Sequence, residues 1–146
     1  MTDVRAKPSV PGWFWAVAVV ALLWEAMGCY SYLTRISMSA EAMAGLPAAQ
    51  VEIWRMMPVW VKTAFAVAVW VGLSGAIGLL LRQRWARETF AVSLLAALVQ
   101  FGWTFLATPA QKTLGLGSFG LPAAIILVGA ALVWFAGYGI KRGWLR

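Results

Sequence analysis

The chain has 146 residues, of which 62% are hydrophobic and 12% charged, with a mean hydropathy of +0.79. Water-soluble domains average about 45–50% apolar and about 25% charged, so the composition excludes an ordinary soluble globule and points to an integral membrane protein. Twelve basic residues against five acidic ones give a formal charge of +7, and there is no His and one Cys; imidazole metal ligation, His-dependent catalysis, an internal disulfide framework and a CxxC metal or redox site are thereby excluded.

A short arm carrying Arg5 and Lys7 leads into a first apolar run from about Trp13 to Leu33. A membrane-crossing helix needs ~20 mostly apolar residues, and this run is long enough. The stretch Ala26-Met27-Gly28-Cys29 resembles a lipoprotein cleavage box. However, Ala26 stands where a larger aliphatic residue is usual and Glu25 interrupts the run, which continues to full spanning length, so a retained first helix is expected. The connection from about Thr34 to Pro58 is too long for a simple turn. Ser39 can cap a short helix from Ala40 to Gly45, which the Gly45-Leu46-Pro47 break ends. Pro47 can start a second helical segment with Val51, Trp54 and Met57 on one face. That pattern predicts a short amphipathic segment lying on the membrane surface, either a connector packing over the bundle mouth or a gate or substrate-facing lid.

A second span runs from about Val59 to Leu81 and a third from about Thr89 to Ala107, joined by a tight turn, Arg82 to Glu88, that makes them an antiparallel hairpin. The next loop reads Gly115-Leu116-Gly117-Ser118-Phe119-Gly120, formally GxGxxG. A dinucleotide site needs a preceding strand and a crossover unit; here a membrane helix precedes it, so a plain loop is expected, ended by Pro122 near the start of a fourth span from about Leu121 to Ile140. The runs are continuous rather than alternating and rich in Ala and Leu, which argues against barrel strands. The expected fold is an all-α membrane protein, residues 1–146 forming a single domain of four transmembrane helices in an antiparallel bundle.

Arg82, Arg84 and Arg87 of the tight turn, Lys141, Arg142 and Arg146 of the tail, and the two basic residues of the arm put eight positive charges on one side of the membrane. The other side holds four, Arg35, Arg55, Lys62 and Lys112, diluted by Glu41 and Glu52. Basic residues of short loops are retained in the cytoplasm, so both termini are expected there. One fixed orientation also means that any homo-oligomer is parallel. Basic residues spread along one membrane face, with no binding fold behind them, do not make a nucleic-acid site; the expected partner is the bilayer, through its anionic lipid heads. Trp13, Phe14, Trp15, Trp85, Tyr138 and Trp144 fall at the predicted cytoplasmic edge, and Tyr30, Tyr32, Trp54, Trp60 and Phe119 near the opposite edge, the depth that amphipathic rings favour.

Glu25 is the most informative residue. A carboxylate at mid-membrane depth is costly and usually faces the bundle interior. Counting ~1.5 Å per residue, Glu25 lies about 18 Å from the cytoplasmic edge and Gln100 about 16 Å, so the two can meet in a hydrogen bond. A protonated Glu25 would donate to the Gln100 carbonyl oxygen, and an ionised one would accept from its amide. The same pair reads either as a clasp between helices or as a proton- or cation-responsive site. Trp24 and Trp70 fall near the midplane and Trp103 somewhat further out. Indoles beside a carboxylate can bind an organic cation by their ring faces or stack on the apolar face of a sugar; equally, they can be packing bulk. Trp24 and Glu25 point about 100° apart on a helix, so both cannot centre on one narrow cavity. Ala68, Gly72 and Ala76, and separately Ser74 and Gly78, recur at four-residue spacing, which lets helix backbones approach closely. Thr63, Ser74, Ser93 and Thr104 are expected to bond back to their own helix carbonyls.

Trp24 and Gly28, the outer Leu46-Pro47, the Arg84-Trp85-Ala86 turn and the Gly143-Trp144-Leu145-Arg146 ending together resemble a small family of bacterial four-span inner-membrane proteins labelled sugar transporters. The resemblance spans nearly the whole chain and implies the bacterial inner (cytoplasmic) membrane and a transport role. In that family the place of Glu25 is more often an amide.

Two functions follow from these readings. The first is a transporter of a small neutral, sugar-like or cationic solute, acting as an oligomer, with Glu25, Gln100, Trp24, Trp70 and Trp103 as the binding or coupling residues. The second is a non-catalytic accessory or scaffold subunit of a larger membrane complex, which predicts a tightly packed bundle. No nucleophile–base pair or metal set is visible in the sequence, so neither an enzyme nor a bound cofactor is expected.

Overall fold

A computed structural model describes residues 9–108 and 116–146. Arg5, Lys7, Lys112 and the first glycine of the GxGxxG stretch, Gly115, lie outside the described residues. The described chain is helical, with no strands: α1 (Gly12–Ile36), α2 (Ala40–Ala44), α3 (Ala48–Met56), α4 (Val59–Leu80), α5 (Ala86–Ala107), a 3₁₀ turn (Leu116–Phe119) and α6 (Gly120–Lys141). By length and composition α1, α4, α5 and α6 can each cross a membrane, and the protein is an all-α membrane bundle of four such helices.

Prolines mark the helix entrances. Pro11, Pro47 and Pro58 are held extended as the residues before α1, α3 and α4, where a missing N–H costs no helical hydrogen bond. Pro122 sits in the first turn of α6 for the same reason. Ser39 caps α2 as expected, its hydroxyl accepting from the Ala42 amide at 3.2 Å.

Close packing runs along the row α1–α4–α5–α6. Glycines let α4 approach its neighbours: a methyl group at Gly75 would lie 2.8 Å from Thr89 Oγ1, and one at Gly78 would lie 2.8 Å from the Trp85 ring. Gly28 of α1 sits against Val69, and Gly129 of α6 against Leu94. Two side-chain bonds stitch α4 to its partners: the Cys29 thiol donates to the Val69 carbonyl at 3.3 Å and the Ser93 hydroxyl to the Ala68 carbonyl at 2.5 Å. Ser93 thus departs from the expectation that it would bond within its own helix; it faces the α4 backbone, and a bare carbonyl edge beside Gly72 is within its reach. Thr63, Ser74 and Thr104 do bond back, to Val59, Val71 and Gln100.

The ends of the row, α1 and α6, are not a closely packed backbone pair. They meet through rings at the end of the bundle that carries the termini. Phe14 stacks on Phe135 at 5.6 Å, and Trp144 stands edge-on to Phe14, Trp13 and Tyr138 at 5.3–5.8 Å. Phe14 and Trp144 are buried and plug the bundle, whereas Trp13, Trp15 and Trp85 stay exposed. The chain locks this end with two matching helix stops. Arg82 and Gly143 both adopt positive φ, 57° and 73°. The amides of Gln83 and Trp144 return to the carbonyls of Gly78 and Gly139, each at 2.8 Å, the arrangement that closes a helix through a left-handed residue. The two stops are then joined, with the Arg146 amide donating to the Arg82 carbonyl and the Arg82 Nε to the Trp144 carbonyl, both at 2.8 Å.

Candidate functional site

Away from the termini the same four helices leave a cavity of about 680 Å³, within the ~300–1,000 Å³ typical of small-molecule sites. A repeating face of α1, Trp24, Gly28, Ser31 and Arg35, makes one wall. A face of α5 with the same spacing, Ser93, Ala97, Gln100 and Thr104, makes the back. Residues of α4 around Ala68 and of α6 from Leu121 to Gly129 complete the sides. The roof is α3, which turns Gln50, Ile53 and Trp54 towards the cavity, with Met57 just after it. The expected inward face of Val51, Trp54 and Met57 is corrected to this one: Ile53 is buried beneath the segment, while Val51 belongs with Glu52 and Arg55 on its outer side, beside α2.

The position of Glu25 follows from a glycine. A methyl group built at Gly72 would collide with the Glu25 carboxylate and lie 2.9 Å from Ser93 Oγ. The carboxylate and the hydroxyl therefore converge on one spot, the bare backbone of α4, at the floor of the cavity. The two charged residues among the cavity's lining are Glu25 at this depth and Arg35 near the roof, ten residues apart on α1 and so ~15 Å apart along its axis. Gln100 is buried and borders the same space. Among the described residues no hydrogen bond joins Glu25 to Gln100, in contrast to the expected pairing; Glu25 is turned towards Gly72 and Ser93 instead. Each leaves hydrogen-bonding capacity available to a molecule in the cavity.

Of the five residues singled out from the sequence, the structure brings Glu25, Gln100 and Trp24 into the cavity wall together. Trp24 and Glu25 both border it because the cavity is wide enough to take in about 100° of the α1 surface. Trp70 stands on the outside of α4, 42% exposed, and neither Trp70 nor Trp103 is among the lining residues. Reading single residues for depth missed Ser31, Arg35, Gln50 and Ser93. The signal was present for three of them: 24/28/31/35 and 93/97/100/104 are stripes at helical spacing in which polar and small residues interrupt apolar runs.

No family model, curated protein or solved structure matches the chain.

Proposed function

We propose that the protein binds a small neutral or cationic solute in this cavity and carries it across the bacterial inner membrane, as an oligomer with both termini in the cytoplasm. The observation that carries this reading is the 680 Å³ cavity with Glu25, Ser93 and Gln100 at its inner end. A scaffold bundle gains nothing from a hollow lined by a carboxylate and an amide, since intramembrane polar groups are costly unless they are used. Aromatic rings and an acid favour an organic cation, and amides and hydroxyls favour a polyol; the cavity offers both. The plug of Phe14, Phe135 and Trp144 seals the bundle on the other side, as a site shut off from one face requires. The excess of basic residues at that end supports its cytoplasmic placement. A single four-helix bundle is small for an alternating-access machine, which is the argument for an oligomer.

Uptake of radiolabelled choline and glucose into proteoliposomes, a cationic and a neutral probe, tests the reading. Uptake of at least one probe is expected, with a loss of tenfold or more in Glu25→Gln for choline or in Gln100→Ala for glucose. Absence of uptake together with stable co-purification in a larger complex would favour the accessory role.

A further inference from the structure

We propose that the ligand is an amphiphile with an organic-ammonium head and an apolar tail, and that it reaches Glu25 from within the lipid, between α1 and α6. This deepens the reading above and rests on it.

The row α1–α4–α5–α6 closes on itself at the aromatic plug and, next to it, through the buried cluster that holds Ala18, Ala21 and Leu132. Beyond the plug, α1 and α6 both border the cavity, yet they are not a packed pair. The rim residues record the consequence. Met27 of α1 lines the cavity and is 55% exposed, and Leu121 of α6 lines it and is 66% exposed. A residue that does both stands at an edge of the opening. Met27 is ~22 Å along a helix ~37 Å long, which puts the α1 edge at the depth of the hydrocarbon, whereas Leu121, the second residue of α6, puts the other edge at the end of its helix. The roof, by contrast, is covered: Ile53 and Met57 are buried under α3.

A molecule passing between these edges is dissolved in lipid and must carry apolar surface. What it meets inside is polar. Glu25 has no cationic partner among the described residues, and Arg35, the one base of the wall, is a helix third away towards the roof. Trp24 and Phe101 line the same cavity as the acid, and aromatic ring faces attract ammonium groups. Head and tail therefore have separate places: the ammonium by Glu25, the chain out past Met27 and Leu121 into the bilayer.

The test uses the full-length protein in lipid nanodiscs and the series tetramethylammonium, hexyltrimethylammonium and decyltrimethylammonium, with empty discs to subtract partition into lipid. Affinity is expected to rise tenfold or more from the first to the last, and to fall at least tenfold for all three in Glu25→Gln. Met27→Trp combined with Leu121→Trp, which narrows the gap at exposed positions, should weaken the decyl compound at least tenfold more than tetramethylammonium. Chain-length independence, or indifference to the double Trp variant, overturns lateral access and leaves solute binding standing. Wild-type uptake of glucose with no binding of any ammonium overturns the cationic head. A double variant that falls from oligomer to monomer shows the gap to be covered by a second copy, which also overturns the proposal. No binding or uptake of any probe defeats this inference and the reading beneath it together.

Discussion

In the half of the bundle that carries the termini, Phe14, Leu79, Phe90, Phe135 and Trp144 fill the space between the helices and are buried. In the other half, the same helices place Gly28, Ser31, Ser93 and Ala97 at the corresponding inner positions and leave a cavity. Both halves are built on α4 glycines, but what fills the space beside each glycine differs. Gly75 and Gly78 receive the rings of Phe90 and Trp85, whereas Gly72 receives the carboxylate of Glu25. Rings cannot retreat and a carboxylate on a flexible stem can. The first half is therefore built for rigidity, and the second holds a chemical group against bare backbone without filling the volume around it.

The largest expected effect tests the rigid half. Phe90 is 1% exposed, and removing such a ring costs about 3–5 kcal/mol in water-soluble cores. A separated membrane helix is solvated by lipid, so the packing share of that cost is what remains, and Phe90→Ala is expected near the lower end of the range. Unfolding in mixed micelles measures it. A change below ~1 kcal/mol would mean that this half is packed more loosely than its burial implies.

The same substitution at two glycines sharpens the contrast. Gly78→Ala drives a methyl group to 2.8 Å from the Trp85 ring, and forced overpacking of this kind costs about 1–3 kcal/mol. Gly72→Ala meets the Glu25 carboxylate, which can swing away, and Ser93 Oγ at 2.9 Å, so its stability cost should be smaller than that of Gly78→Ala, about 1 kcal/mol, while solute binding is lost with the displaced carboxylate. Equal destabilisation at both positions would erase the distinction between the halves. Next in size is Gly143→Ala. Its φ of 73° disfavours a side chain by about 1–2 kcal/mol, and the strain falls on the clasp that joins the two helix stops. Proteolysis of the segment after α6 should accelerate with little effect on binding.

The fold was legible because length and apolarity alone define spans: the structure's four long helices begin and end within a few residues of the expected limits, α1 and α5 extending furthest beyond theirs. The inward faces were less legible. The spanning helices are apolar nearly all round, since lipid and helix interior reward the same residues, and a hydrophobic stripe therefore points nowhere. Polar residues carried the information instead. Glu25 and Gln100 both border the cavity, but depth along a helix says nothing of rotation, and Trp70, expected beside them, stands on the outer surface. Ser93 was misread because a serine in a helix can always satisfy itself locally; the carbonyl it bonds is exposed to it by the closeness of α4, a tertiary fact. The amphipathic α3 failed by one step in register for a related reason: Val51 and Ile53 are equally apolar, and the choice between them is made by what lies underneath.

The smallest expected effect concerns that roof. Lys62 Nζ stands 4.8 Å from the centre of the Trp54 ring, so the first turns of α4 hold α3 by a cation over a ring. Such a contact is worth about 0.5–1 kcal/mol where water reaches it, a factor of roughly 2–5 in an opening equilibrium. Lys62→Ala should raise amide hydrogen exchange across Ala48–Met56 by that factor and leave the exchange of α4 and α5 unchanged, while Lys62→Arg, which keeps a cation over the ring, should not. Ile53 and Met57, both 8% exposed, remain in place in either variant and keep the segment docked. If exchange in α3 is indifferent to Lys62, these two apolar anchors hold the roof by themselves. The water-facing side of the cavity is then closed as firmly as the plug, and the contrast between the halves narrows to the gap between α1 and α6.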